Sequence, residues 1–146
     1  MSTIKPATSG DELEARILAE LEEFRVDEIC PVLNKVLDCR GREQEVMDFA
    51  RAVTSLIKKN KIELGSAAFF PRNEQFFDSL AALTCASNLS AEMMFDPESA
   101  FWKPKHRASP DDRSTIIALT EQGVQAAQAL LTRRGYGWWK PIKPRS

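Results

Sequence analysis

One stretch restricts this chain more than any other: Thr115 to Gly135, TIIALTEQGVQAAQALLTRRG, where a β-branched run passes into a helix through a single threonine. Thr115 to Leu119 has the short, continuously apolar character of a buried strand. Thr120 then offers a hydroxyl to the free backbone N–H groups of the next turn, which makes it the N-cap of a helix running to Arg134. Ser55 to Gly65, SLIKKNKIELG, reads in the opposite sense. There a helix runs out through Lys58, Lys59 and Asn60 into an extended segment at Ile62 to Leu64. A helix entering a strand, followed later by a strand entering a helix, argues for an α+β fold that is mainly α.

The chain has 146 residues, 43% hydrophobic and 28% charged. That is long enough for one domain with its own core, without disulfides or metal. The start, MSTIKPATSG, has no apolar run of signal-peptide length, and no run of about 18 apolar residues occurs anywhere. The expected location is cytoplasmic. Cys30, Cys39 and Cys85 are odd in number and lack a Cys-x-x-Cys pair, which argues against a disulfide framework and a zinc site. No nucleophile elbow, phosphate-binding glycine loop or His/Cys pair occurs, so the expectation is a non-enzyme without cofactor or metal. The net charge of -1 conceals an asymmetry: residues 1–100 hold 11 basic against 18 acidic residues, and residues 101–146 hold 9 against 3. A basic last third is suited to phosphate or an acidic partner.

Ser9-Gly-Asp-Glu12 fits a capping box and starts a first helix. Leu13, Ile17, Leu21 and Phe24 form its apolar stripe, and Glu12, Glu14, Glu20, Glu22 and Glu23 lie on its other faces as acidic surface. Pro31 suits the first turn of a second, short helix over Pro31 to Leu37. Asp38-Cys-Arg-Gly41 closes that helix, Gly41 supplying a positive φ. A third helix runs from about Arg42 to Lys59, with Val46, Phe49, Ala50, Val53, Leu56 and Ile57 as core positions. Short helix, glycine turn and longer helix is helix-turn-helix spacing.

Taken with the Leu-Thr-Glu-Gln-Gly join at Leu119 to Gly123, this order resembles the core of winged helix-turn-helix proteins of the MarR and PadR kind. The resemblance implies a winged-helix domain over residues 10–134, a flexible N-terminus over 1–9 and a basic aromatic tail over 135–146. It further implies duplex DNA as partner, transcriptional regulation, and a homodimer formed through the helix after the wing, where Ala126, Ala127 and Ala129 permit close approach. Packing of that helix on the first one is the alternative. About fifty residues separate the two wing strands. Residues 73–88 read as an inserted helix capped by Asn73, and 91–119 as the wing, with Thr115 to Leu119 paired antiparallel either to Ile62 to Leu64 or to Met93 to Phe95.

Within the wing loop, Lys103, Lys105 and Arg107 alternate with Pro104 and His106. An extended backbone projects such a set to one side, where it suits phosphates or a narrow minor groove. On the third helix the DNA-binding candidates are Arg42, Gln44, Arg51, Ser55 and Lys58. Glu43, Glu45 and Asp48 interrupt them, and carboxylates there are repelled by a phosphate backbone. The rival reading is therefore a winged-helix protein–protein interaction module without DNA contact. Trp138 and Trp139 are costly to leave in water, so at least one should dock.

Overall fold

Ser9 begins the first helix, α1 (Gly10–Leu21), by accepting the Glu12 N–H on its hydroxyl at 3.2 Å. In this computed structural model, residues 4–7, 9–69, 72–105 and 113–141 are described. They form an α+β fold with six helices, a four-stranded antiparallel sheet and a separate two-stranded one. Leu13, Ile17 and Leu21 of α1 are buried as the stripe requires, but Phe24 is 72% exposed. The helix stops before it: Arg25 takes φ 64 and its N–H closes back on the Leu21 carbonyl at 2.7 Å, so Phe24 rides on a turn.

A strand that the sequence reading did not contain precedes the two helices that it did. β1 (Val26–Glu28) leads into α2 (Ile29–Val36), with Pro31 in its first turn. Gly41 has φ 84, and a Cβ there would lie 2.7 Å from the Phe95 ring, so the turn needs glycine twice over. α3 (Glu43–Lys58) buries Val46, Phe49, Ala52, Val53, Leu56 and Ile57, while Ala50 is only partly covered.

β2 (Ile62–Phe69) is followed by β3 (Arg72–Phe76), antiparallel from Gly65↔Phe76 to Phe69↔Arg72. This corrects the inserted helix over 73–88. Asn73 is in a strand, and α4 (Ser79–Ser87) starts instead at Asp78, whose carboxylate accepts the Ala81 N–H at 2.8 Å. The exposed edge of β2 supplies backbone partners that local helical spacing cannot match. A side chain at Gly65 would meet the Gln75 carbonyl oxygen first and the Phe76 ring next, so β3 lies close against β2 there.

A second correction concerns the wing. After α5 (Leu89–Glu92), β4 (Met93–Asp96) pairs with β5 (Phe101–Pro104), and not with residues 115–119. Both edges of β6 (Ser114–Leu119) are already taken, by β2 on one side and β1 on the other, giving the order β1-β6-β2-β3. The registers Ile62↔Leu119 and Leu64↔Ile117 place Ile117 and Leu119 in the main core. Ile116, between them in the alternation, is also buried.

α6 (Glu121–Arg134) begins at Thr120. The Thr120 hydroxyl accepts the Gly123 N–H at 3.1 Å and donates to the Asn60 carbonyl at 2.6 Å, while its own N–H reaches the Lys61 carbonyl at 3.0 Å. A Cβ on Gly123 would fall on that same Lys61 carbonyl oxygen, so only glycine lets α6 rest on the α3–β2 junction. α6 packs along α1, burying Ala127 and covering Val124, Ala126, Leu130 and Leu131 in part. Beyond it Trp139 is buried and donates to the Lys35 carbonyl at 2.9 Å. No helix of the described residues is long and apolar enough to cross a membrane.

Candidate nucleic-acid interface

The exposed strip of α3 carries Glu43, Gln44, Met47, Asp48, Arg51 and Lys58. Its N-terminal part is self-satisfied. Gln44 donates to Asp48 at 2.7 Å, Arg51 lies 3.7 Å from the same carboxylate, and Arg42 lies 4.0 Å from Glu45. Glu45 turns away from solvent and gathers the turn around itself, accepting the N–H groups of Arg40, Gly41 and Arg42 and the Trp102 indole N–H at 3.1 Å. It is thus a structural clamp between the α2–α3 turn and β5, not a charge presented to a partner.

Further along α3 the candidates divide. Ser55 donates to Glu14 of α1 at 3.1 Å, and Lys59 binds the same oxygen at 2.8 Å, which holds the Lys59 pKa above its ordinary value. Arg51, Ser55 and Lys58 nevertheless line one open groove between α3 and α4, with Ala50 and Ala86 as its floor. Lys58 is exposed and makes no ion pair among the described residues, so it remains available to a phosphate.

Lys103 on β5 and Lys105 just beyond its end are exposed. Strand alternation sends Trp102 inward, 8% exposed, and its backbone N–H and carbonyl both bond the Asn34 side chain at 2.9 Å. Lys103 is held by Asp96 at 2.7 Å. That hydrogen bond, helped by the Glu98 N–H and the Ser99 hydroxyl, depresses the Asp96 carboxyl to about 2. Lys105 has no ion pair among the described residues, and Arg107 lies outside them together with His106. The two sets of cations therefore stand on separate elements, the β5 set beside the α2–α3 turn and the α3 set at that helix's far end.

Several contacts escape sequence reading. α1 is not an open acidic face: Glu12 binds Arg16, Arg134 and the Trp138 indole, and Glu20 binds Lys140 at 2.6 Å. Burial pushes the Glu12 carboxyl up, but those three donors outweigh it and leave the pKa below its ordinary value. Arg16, 2% exposed, reaches the Pro6 and Val36 carbonyls at 3.1 Å. Arg113 is a further cation at the sheet's end, spent on Ser66 and the Asn73 carbonyl. A helical stripe gives no hint of a buried Arg, although Glu12 and Arg16 at i and i+4 are a legible pair.

Burial, aided by neighbouring carboxylates, pushes Cys30 and Cys39 up to about 12, so both stay protonated at neutral pH. α6 keeps Gln125, Gln128, Ala129 and Thr132 on its open side, its apolar edge being used within the chain. Comparison with protein-family models, curated proteins and solved structures finds no match.

Proposed function

We propose that this chain is a winged helix-turn-helix domain that binds duplex DNA and acts in transcriptional regulation. The observation that carries the reading is the antiparallel pairing of β6 with β2, the strand that leaves α3, at Ile62↔Leu119 and Leu64↔Ile117. Around it, α2 and α3 meet at Gly41 with φ 84, as a helix-turn-helix turn needs. In this reading Lys58 and Lys105 neutralise phosphates, and Arg51 joins them when Asp48 releases it. Base reading by Arg42 and Gln44 would have to displace contacts both already make.

A protein-interaction module without DNA contact is the second reading, favoured by the pairing of Arg42, Arg51 and Lys103 within the chain. Amide spectra of the labelled chain, titrated with a short random-sequence duplex at low salt, distinguish the two. DNA binding predicts shifts at Arg51, Lys58 and Lys105. Spectra that stay unchanged, or shifts confined to α1 and α6, would rule out this interface.

A further inference from the structure

We propose that the outer edge of β3 is where a second copy of this chain docks, the two β3 strands pairing antiparallel so that both four-stranded sheets become one of eight. β3 ends the order β1-β6-β2-β3, and Arg72, Asn73, Gln75 and Phe76 are exposed. Its register with β2 runs one to one from Arg72 to Phe76, with no bulge and no proline to blunt the edge.

The alternation of ladder bonds decides which backbone groups face outward. Phe77, just past the strand and opposite Leu64, donates its N–H to the Leu64 carbonyl at 2.9 Å. Hydrogen-bonded positions recur at every second residue of an antiparallel pair, so Gln75 and Asn73 also turn their backbone toward β2. The N–H and C=O groups of Arg72, Glu74 and Phe76 then point away from the sheet, and the strand offers them to a new partner.

Charge selects that partner. Arg72 and Glu74 stand two residues apart on one face of β3, 2.7 Å from each other. A copy related by a two-fold axis at Asn73 sets each Arg72 opposite the Glu74 of the other chain. Both are hydrogen-bonded positions, so backbone bonds and ion pairs form together. Moving the axis to Glu74 brings two carboxylates face to face, and moving it to Gln75 sets Glu74 against the Phe76 ring, so the charges fix the register as well. An unrelated strand would have to match both charges, whereas the chain's own β3 matches them by symmetry. Strands this short make a small interface, and the dimer is a weak one.

Sedimentation of the full labelled chain over a wide concentration range should show a reversible monomer–dimer equilibrium, with the amide signals of Arg72 and Glu74 moving alongside it. Arg72→Glu should weaken the dimer about tenfold by opposing like charges across the axis, and adding Glu74→Arg to it should restore the lost affinity. A chain that stays monomeric at every concentration, a dimer whose shifts fall on α6 instead, or a double variant no tighter than Arg72→Glu would each overturn the proposal. The concentration series on the unaltered chain needs no variant, and no DNA enters the test, so its outcome is separate from the reading above.

Discussion

Gly123 is a residue whose role a sequence can flag but not explain. Its helix position would ordinarily favour alanine, yet a Cβ there would collide with the Lys61 backbone carbonyl, which already accepts the Thr120 N–H. Gly123→Ala should therefore destabilise the fold by about 3 kcal/mol, the upper end for overpacking against something that cannot move away. Gly10→Ala, with nothing within 4 Å of the new methyl, should be neutral or stabilising by up to about 1 kcal/mol. Gly41→Val should cost about 2 kcal/mol, since it combines a positive φ with the Phe95 ring. Urea unfolding of the three variants checks the ranking, and an intact Gly123→Ala would contradict the packing described for α6. Thr120 and Gly41 are legible in sequence because a cap and a turn are local. The clash at Gly123 involves residues 62 positions apart, and Arg16 is hidden for the same reason.

Among the elements, helices with local stop signals and the strands β2 and β6 joined to them are legible in sequence, whereas β1, β3 and the partner of β4 are not. Phe76, Leu80 and Leu83 stand at helical spacing after Asn73, but the open edge of β2 makes Arg72–Phe76 a strand. Of the two segments expected opposite β6, Ile62–Leu64 takes that place, and Met93–Asp96 forms a hairpin with β5, because β1 holds the remaining edge of β6. That hairpin has a pH signature. Asp96 is held to about 2 by Lys103 first and then by the Glu98 N–H and Ser99. A depressed carboxyl contributes stability that is fully present above its ordinary value near 3.8 and is lost as pH falls through about 2. A carboxyl-carbon titration of Asp96 should show that low midpoint, and Lys103→Ala should raise it. A midpoint already at the ordinary value in the unaltered chain would mean that the Lys103 contact does not hold in solution.

Taken whole, the molecule spends its charges on itself. The acidic first two-thirds and basic last third, visible in composition, meet where α6 and the residues after it lie on α1: Arg134 on Glu12, Lys140 on Glu20, and Trp138 and Trp139 stacked edge to face with centroids 4.8 Å apart. Trp139→Ala should cost about 3 to 5 kcal/mol by thermal or urea unfolding, because a large ring leaves a buried site. The charge asymmetry thus served partly to close the fold, which composition alone does not reveal. Among the described residues Lys58 and Lys105 are exposed cations without an ion pair, and the proposed function rests on what they meet. The direct test is fluorescence anisotropy of a labelled random duplex against salt concentration. The winged-helix DNA reading predicts a linear fall of log affinity with log salt, with Lys58→Ala and Lys105→Ala each reducing the slope by about 0.9. An affinity that is absent at low salt, or a slope that neither variant changes, would contradict it.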